Sequence, residues 1–361
     1  CETCHTPHFA PTAAQLLNFT DNPPNPYACT SAGCHSSDPP PPHGLVAQGV
    51  APGSADNGSR GSRVNIAGQT RKISAHRDDT GTTPAALRRA GRAARSGISS
   101  VGCVDCHNPH RARRANARAP YASGMLNGVS GVDRNGTEIR AVTYEYEVCF
   151  KCHSDATPDL ETVVRVVPTT NTRLEFDPGN PSYHPVVEMG KSLNVPSVPS
   201  SLEPGMRSSD VIYCTSCHAD DEGGGKGPHG SAFAPILRAR YETAAGTPES
   251  QESYALCYRC HERSSILGDA SFRKKTGSGP GGGHSGHLAA GAPCSACHDP
   301  HGVSEAGAAG TGSHTHLVNF DTRIVEPRAG ARYPVFDDRG PFAGNCTLVC
   351  HGKDHEGLSY P

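Results

Sequence analysis

The sequence predicts a fold that is mostly loop, with short helices, few short strands and little regular secondary structure. Its 361 residues include 41 Gly and 31 Pro, which interrupt helices and strands. Only 35% of the residues are hydrophobic, 6% are aromatic, and Trp is absent. The side chains therefore supply too little apolar volume for a large core, and we expect bound apolar groups to complete it.

The 16 cysteines form pairs, and each pair is followed at once by a histidine. Six pairs have the spacing C-x-x-C-H, the attachment motif of a c-type haem, in which two thiols bond to the haem and the histidine binds its iron. Two pairs are wider, with four intervening residues in Cys29–His35 and three in Cys346–His351.

We therefore predict eight covalently bound c-type haems. The predicted attachment residues are Cys1, Cys4, Cys29, Cys34, Cys103, Cys106, Cys149, Cys152, Cys214, Cys217, Cys257, Cys260, Cys294, Cys297, Cys346 and Cys350. The predicted proximal iron ligands are His5, His35, His107, His153, His218, His261, His298 and His351.

Zinc sites and disulfides are the alternative interpretations of these cysteines. A zinc site joins one C-x-x-C to another at a set distance, whereas these motifs are irregularly separated. A disulfide framework would not couple the cysteines two by two beside a histidine. For the two wider pairs, a local disulfide beside an unligated histidine stays open.

The motifs recur as a modular array. Tyr146–His153 matches Tyr254–His261, and Cys103–His110 matches Cys294–His301. We expect a single multihaem chain over 1–361 that wraps around a closely packed chain of haems. Its approximate two-haem units are 1–102, 103–213, 214–293 and 294–361.

Two local elements are also predicted. Residues 138–148 alternate loosely in polarity, which is typical of a short strand or of the approach to a helix. Val163–Val167 and Thr172–Phe176 resemble a small β-hairpin around Pro168–Asn171.

The sixth ligand of each iron is predicted to be histidine. Eight of the 20 histidines are proximal ligands, 12 remain, and there are only three Met. Bis-histidine ligation without axial Met gives low reduction potentials. The distal candidates, one more than needed, are His8, His43, His76, His110, His184, His229, His287, His301 and His355. Three further histidines are held in reserve: His284, His314 and His316.

Charge and hydropathy restrict location and partners. The formal charge is −2, and the haem propionates bring the holoprotein nearer to about −10, which argues against nucleic-acid binding. No run approaches the ~18 apolar residues that span a bilayer. Since this type of haem attachment occurs outside the cytoplasmic membrane and the chain begins at Cys1, we expect a removed signal peptide and a secreted, extracellular or cell-surface protein.

The N-terminal part has a specific pattern. Cys1–His8 reads C-x-x-C-H-T-x-H, and the second site, His43, His76 and Cys103–His110 follow in order. In these features the chain resembles the filament-forming extracellular multihaem cytochromes, the cytochrome nanowires, as an octahaem member. The resemblance covers the first third of the chain. It implies bis-histidine haems, a homopolymeric filament, and His8 as the ligand of a haem in the neighbouring subunit.

The leading functional prediction is a non-enzymatic electron carrier. A conductive filament would pass electrons to external acceptors or redox partners, such as metal oxides or other cells. One alternative is an octahaem reductase of nitrogen or sulfur oxyanions, which needs an open or Lys-filled iron position; no C-x-x-C-K occurs. A monomeric secreted electron shuttle is the other alternative.

Overall fold

The computed structural model describes residues 66–76, 101–154, 163–168, 171–192, 195–198, 209–223, 227–272 and 283–360. The α-helices within these ranges are α1 (Ile66–Thr70), α2 (Cys103–Cys106), α3 (Glu145–His153), α4 (Thr172–Glu175), α5 (Arg263–Leu267), α6 (Gly283–Ala289) and α7 (Cys294–Cys297). The strands are β1 (Ser74–Ala75), β2 (Gly131–Val132), β3 (Glu138–Ile139), β4 (Gly230–Ser231), β5 (Val325–Glu326), β6 (Val335–Gly340), β7 (Ala343–Cys350) and β8 (Lys353–Tyr360).

These elements are short and are joined by long loops, which confirms the predicted fold class. Among the described helices the longest, α3, has nine residues, and the longest strands have eight. No helix in the described part of the chain has the length and apolarity needed to cross a membrane.

Two compact units are distinguished by the contacts of the chain. The described part of the first unit comprises 66–76, 101–106, 218–223 and 227–238. In it β1 pairs with β4 in an antiparallel ladder, Ser74 opposite Ser231. Lys72 lies 2.6 Å from a carboxylate oxygen of Asp221 and 2.8 Å from one of Glu222.

The second unit contains the larger sheet, in which β7 pairs antiparallel with β5, β6 and β8. Leu348 of β7 and Phe336 of β6 contribute to an apolar cluster. This cluster also contains Cys350 and touches Cys297 and Cys346. Predicted haem attachment residues therefore border the protein's own core.

Two smaller apolar clusters in the second unit have the same property. One contains Tyr146 and Phe150 and touches Cys214; the other contains Tyr254 and Tyr258 and touches Cys257 and Cys294. Side-chain cores this small require additional apolar surface, which haems bound at these cysteines would supply. The sequence repeat explains part of the likeness, because Tyr146 with Phe150 and Tyr254 with Tyr258 are buried aromatic pairs four residues apart.

The predicted hairpin at 163–176 is wrong. Residues 172–175 form helix α4, because the side chain of Asn171 accepts hydrogen bonds from the backbone amides of Arg173 and Leu174 at 3.1 and 3.4 Å. Arg165 pairs instead with Asp321, far along the chain. Within 138–148, both anticipated forms occur, since β3 covers the start and α3 begins at Glu145.

Candidate haem-binding sites

The helical C-x-x-C pairs lie on short turns. Helices α2 and α7 consist of the third and seventh pairs, α3 carries the fourth, and 3₁₀ turns begin at Cys214 and Cys257. Residues three apart on a helical turn share one side, so both thiols face the same way. No disulfide joins the cysteines of the described residues, including the wide pair Cys346 and Cys350. The first two sites, with His8 and His43, lie outside the described residues.

Three of the predicted proximal histidines are oriented by a backbone carbonyl. Nδ1 of His107 lies 3.1 Å from the Met125 carbonyl oxygen, and that of His218 lies 2.9 Å from the Pro235 oxygen. His298 makes the same contact at 2.9 Å with the carbonyl of His316. A carbonyl only accepts hydrogen bonds, so Nδ1 carries the proton in each ring and Nε2 keeps the lone pair that a metal requires.

The acceptors in these three contacts are spaced alike along the chain. They follow their histidines by 18, 17 and 18 residues, at the third, fifth and seventh sites. In a neutral imidazole, this contact selects the tautomer that suits iron ligation. The repeated loop length is a structural repeat that the motif alignment did not reveal.

Burial keeps several of these imidazoles neutral. It lowers the pKa of His298 to about 3 and the pKa of His261 to about 4. Burial likewise lowers the pKa of His284 to about 4. Because metal ligation needs the unprotonated ring, these three residues are in the required state at neutral pH.

Three pairs of histidine rings have the separation expected across one iron. The ring centres of His184 and His261 are 6.3 Å apart, and those of His284 and His298 are 6.1 Å apart. His287 and His355 form the third pair at 6.2 Å. A metal–imidazole bond is about 2 Å long, so two rings that flank one iron have centres roughly 6 Å apart.

Two of the pairs join a predicted proximal histidine to a candidate distal one. His261 follows the sixth C-x-x-C and His298 follows the seventh. Nδ1 of His261 lies 2.9 Å from Oγ of Ser197, and Nδ1 of His184 donates to the Pro300 carbonyl. In His184 this leaves Nε2 as the nitrogen that can bind a metal. The donor set and its spacing therefore fit a bis-histidine haem.

Other distal candidates show similar orientation. Nδ1 of His76 lies 2.8 Å from the Pro228 carbonyl oxygen, within the first unit. Nδ1 of His301 lies 2.8 Å from Oε2 of the buried Glu175, the carboxylate–histidine arrangement that commonly supports a metal ligand. With Asp299, these two residues place their ligand atoms within 4.8 Å of one another.

The remaining histidines differ in their surroundings. His110 is exposed, whereas His229 is half-buried. His314 is 3% exposed and both ring nitrogens make hydrogen bonds, Nδ1 with the Val318 carbonyl at 2.7 Å and Nε2 with Oγ1 of Thr311 at 2.6 Å. Its ring therefore supports the loop around it. His284, held in reserve from the sequence, is instead the ring that faces His298.

Neighbouring motifs also approach each other through their thiols. A hydrogen bond that the Cys149 thiol donates to Cys214, together with burial, raises the pKa of Cys149 well above its ordinary value. The thiols of Cys257 and Cys294 make the same kind of contact. These contacts join the fourth site to the fifth and the sixth to the seventh.

A half-buried carboxylate strengthens the first of these junctions. Glu145, at the start of α3, accepts hydrogen bonds from the backbone amide and the hydroxyl of Thr215, both at 3.0 Å. Thr215 lies between the two cysteines of the fifth site. Burial raises the pKa of Glu145, and its bonds to Thr215 oppose that shift.

Comparison with known families agrees with this arrangement. Residues 136–309 match the family described as outer membrane cytochrome MtrC/MtrF-like, domains II/IV. The match covers 174 residues, just under half of the chain, and includes the fourth to seventh sites. Over these residues the chain is therefore similar to an extracellular multihaem cytochrome family. Searches of curated proteins and of solved structures gave no match.

Proposed function

We propose that the protein is an eight-haem extracellular electron conduit that assembles into a conductive filament. Its haems would be attached at all eight cysteine pairs and ligated by two histidines each. The observation that carries the proposal is the set of three imidazole pairs with ring centres 6.1 to 6.3 Å apart. Haem iron with both axial positions filled by histidine exchanges electrons and leaves no position for a substrate.

The order of the cysteines supports a continuous path. The fourth and fifth sites meet at Cys149 and Cys214, and the sixth and seventh meet at Cys257 and Cys294. Cys217 of the fifth site also raises the pKa of Cys257, and thus lies within electrostatic range of the sixth site. Haems attached at these positions would be neighbours in chain order. The protein's part is to fix their spacing, potentials and exclusion of water.

The wider pair extends this path to the eighth site. Burial raises the pKa of the seventh-site Cys297 to about 12, and Cys346 and Cys350 contribute to the same shift. Cys350 belongs to one apolar cluster, and Cys297 and Cys346 pack against that cluster. An electron delivered to any of these five sites would thus have an adjacent site on which to move.

The filament part of the proposal rests on the N-terminal pattern. In the cytochrome nanowires, the histidine three residues after the first C-x-x-C-H binds a haem of the adjacent subunit. His8 occupies that position here and would join subunits through iron coordination. Secretion to the cell surface would place the polymer where external acceptors are available.

Electron microscopy of the secreted, haem-containing fraction tests the proposal. We expect thin filaments of uniform width with a regular axial repeat. His8→Ala should abolish filaments and leave monomeric holoprotein. The comparison variant is His110→Ala, which removes the corresponding residue of a later C-x-x-C-H-x-P-H motif and a distal candidate within the chain. It should change the spectrum of one haem and leave the join between subunits in place.

The alternatives give different results. Discrete particles in the wild-type fraction would favour a monomeric shuttle and contradict polymerisation. Filaments that persist in His8→Ala would contradict ligation between subunits. A high-spin haem whose spectrum changes on addition of nitrite or hydroxylamine would favour a reductase.

A further inference from the structure

Glu175 and His301 make a contact that differs from those of other oriented histidines. Oε2 of Glu175 lies 2.8 Å from Nδ1 of His301. The corresponding nitrogens of His107, His218 and His298 lie against backbone carbonyls. A carboxylate carries a full negative charge, whereas a carbonyl carries only a dipole. The hydrogen bond to His301 is therefore the stronger kind.

The backbone around this contact holds both partners in place. Glu175 is the last residue of α4 and is 2% exposed, and its carbonyl accepts a hydrogen bond from Nδ2 of Asn180 at 2.8 Å. A Cβ at Gly302 would collide with the same carbonyl oxygen, so glycine after His301 allows the close approach. The carbonyl of His301 accepts from the backbone amide of His184 at 2.9 Å. The carboxylate and the ring are thus positioned before any ligand binds.

Apolar neighbours limit screening of the contact by water. The ring centre of His301 is 5.2 Å from that of Phe176, which is 4% exposed. Phe176 belongs to the apolar cluster that contains Phe150, and Phe150 lies within the C-F-K-C-H motif of the fourth site. In surroundings of low dielectric constant, a hydrogen bond is electrostatically stronger than it is in water. The contact therefore lies in a setting where the charge of the carboxylate acts strongly on the ring.

A separate metal ion is the other use that this cluster could have, because the ligand atoms of Glu175, Asp299 and His301 lie within 4.8 Å of one another. Asp299, however, already has partners. Its Oδ2 accepts from Nδ2 of Asn319 at 3.1 Å and lies 3.6 Å from Nε of Arg165. The guanidinium supplies the positive charge that a cation would bring, and it would repel that cation. The geometry therefore favours a hydrogen-bonded pair over an ion site.

The pair has a defined effect on a haem ligand. A neutral histidine that binds iron through Nε2 carries its proton on Nδ1. In His301 that proton is directed at a carboxylate, which makes the ring a more basic ligand. A more basic ligand stabilises ferric over ferrous iron, so the reduction potential falls.

We propose that Glu175 lowers the reduction potential of the haem that His301 ligates, by holding the Nδ1 proton of that ring. This inference rests on the proposed ligation of haem iron by histidine pairs. Glu175 is a positioning residue, because it acts through His301 and touches no iron. In a path of successive haems, a haem of lower potential passes its electron readily to its neighbours.

Spectroelectrochemical titration of the purified full-length holoprotein tests the proposal. Glu175→Gln keeps the shape of the side chain and removes its charge. At a fixed electrode potential, the ratio of reduced to oxidised form should rise about tenfold for one haem, the lower end of the effects that such outer partners have on bound metals. For one electron this is a shift of about 59 mV to higher potential. All irons should stay low-spin by electron paramagnetic resonance, since His301 is retained.

The matched control is Glu147→Gln. Glu147 is 5% exposed and belongs to the same region, but it accepts hydrogen bonds from the backbone amides of Thr143 and Tyr144 at 2.6 and 2.9 Å. It removes one buried negative charge without touching a histidine, so its reduction steps should stay close to those of the wild type. Equal shifts in the two variants would overturn the proposal.

A second set of variants separates an effect through His301 from a change in folding. His301→Ala should leave one iron high-spin, and adding Glu175→Gln to it should shift no reduction step further. All irons low-spin in His301→Ala, wild-type potentials in Glu175→Gln, or the full shift in the double variant would each overturn the proposal. A stoichiometric non-haem metal that is lost in Glu175→Gln would also overturn it. These readouts do not depend on filaments, so their failure is distinct from failure of the conduit proposal.

Discussion

Arg165 offers a strong test of how the seventh site is held. Its side chain is 3% exposed and donates to three backbone carbonyls. Nη1 bonds the oxygens of Ser295 and Asn319, both at 2.7 Å, and Nη2 bonds that of His298 at 2.9 Å. Nε lies 3.6 Å from Asp299, which is also buried. One guanidinium therefore fixes the segment that carries the C-S-A-C-H motif.

We predict that Arg165→Met lowers the free energy of local opening in this region by about 4 kcal/mol relative to wild type. Each buried carbonyl left without a donor costs about 1–3 kcal/mol, so three give roughly 3–9 kcal/mol. The lower half of that range applies where water enters the opened site. About 4 kcal/mol corresponds to a roughly 1,000-fold change in an opening equilibrium.

Hydrogen exchange measured by mass spectrometry is the assay. The amides of Asn319 and Asp321 donate to the carbonyls of Cys297 and Ala296 at 2.8 and 2.9 Å, so their exchange reports opening beside the seventh site. The control is Arg134→Met, since that side chain is half-exposed and pairs only at the surface with Glu188. Less than tenfold faster exchange in Arg165→Met, or equal effects of both variants, would refute the reasoning.

Three further predictions concern other parts of the second unit. Glu249→Gln should lower stability at pH 7, because Arg263 bonds both carboxylate oxygens and lowers the pKa of Glu249. This contribution is present above the unfolded pKa of about 4.3 and is lost as pH falls through the lower folded pKa, so acid melts of variant and wild type should converge. Phe150→Ala should destabilise by about 3–5 kcal/mol, since this ring is 1% exposed, whereas the exposed Val164→Ala should change denaturation midpoints little. Glu145→Ala should loosen the junction of the fourth and fifth sites and weaken the magnetic coupling of their haems; unchanged coupling would count against that junction.

The fold class could be predicted because it depends on composition and on the cofactor motif. High Gly and Pro content with few aromatic residues limits regular structure in any arrangement of the chain. Local capping was harder to recognise, and the predicted hairpin at 163–176 failed because Asn171 starts a helix. The β7–β8 hairpin was also missed, because the haem motif and not the turn was recognised at His351 and Gly352.

For the histidines too, the sequence predicts what depends on a local motif and misses what depends on the fold. The C-x-x-C-H pattern locates the proximal candidates because the chemistry is local. The distal partners depend on contacts distant in sequence, such as His184 with His261. His284 and His287 are three residues apart in one Gly-rich segment, and only the structure shows that they face different partners, His298 and His355.

The central claim is that successive haems are ligated by the histidine pairs found here and lie in chain order. Electron cryomicroscopy of the holoprotein that resolves the irons tests it most directly. We predict iron midway between His184 and His261, between His284 and His298, and between His287 and His355, with the fourth to eighth haems adjacent in sequence order. Iron found away from these pairs, or haems of consecutive sites separated by intervening protein, would contradict the account.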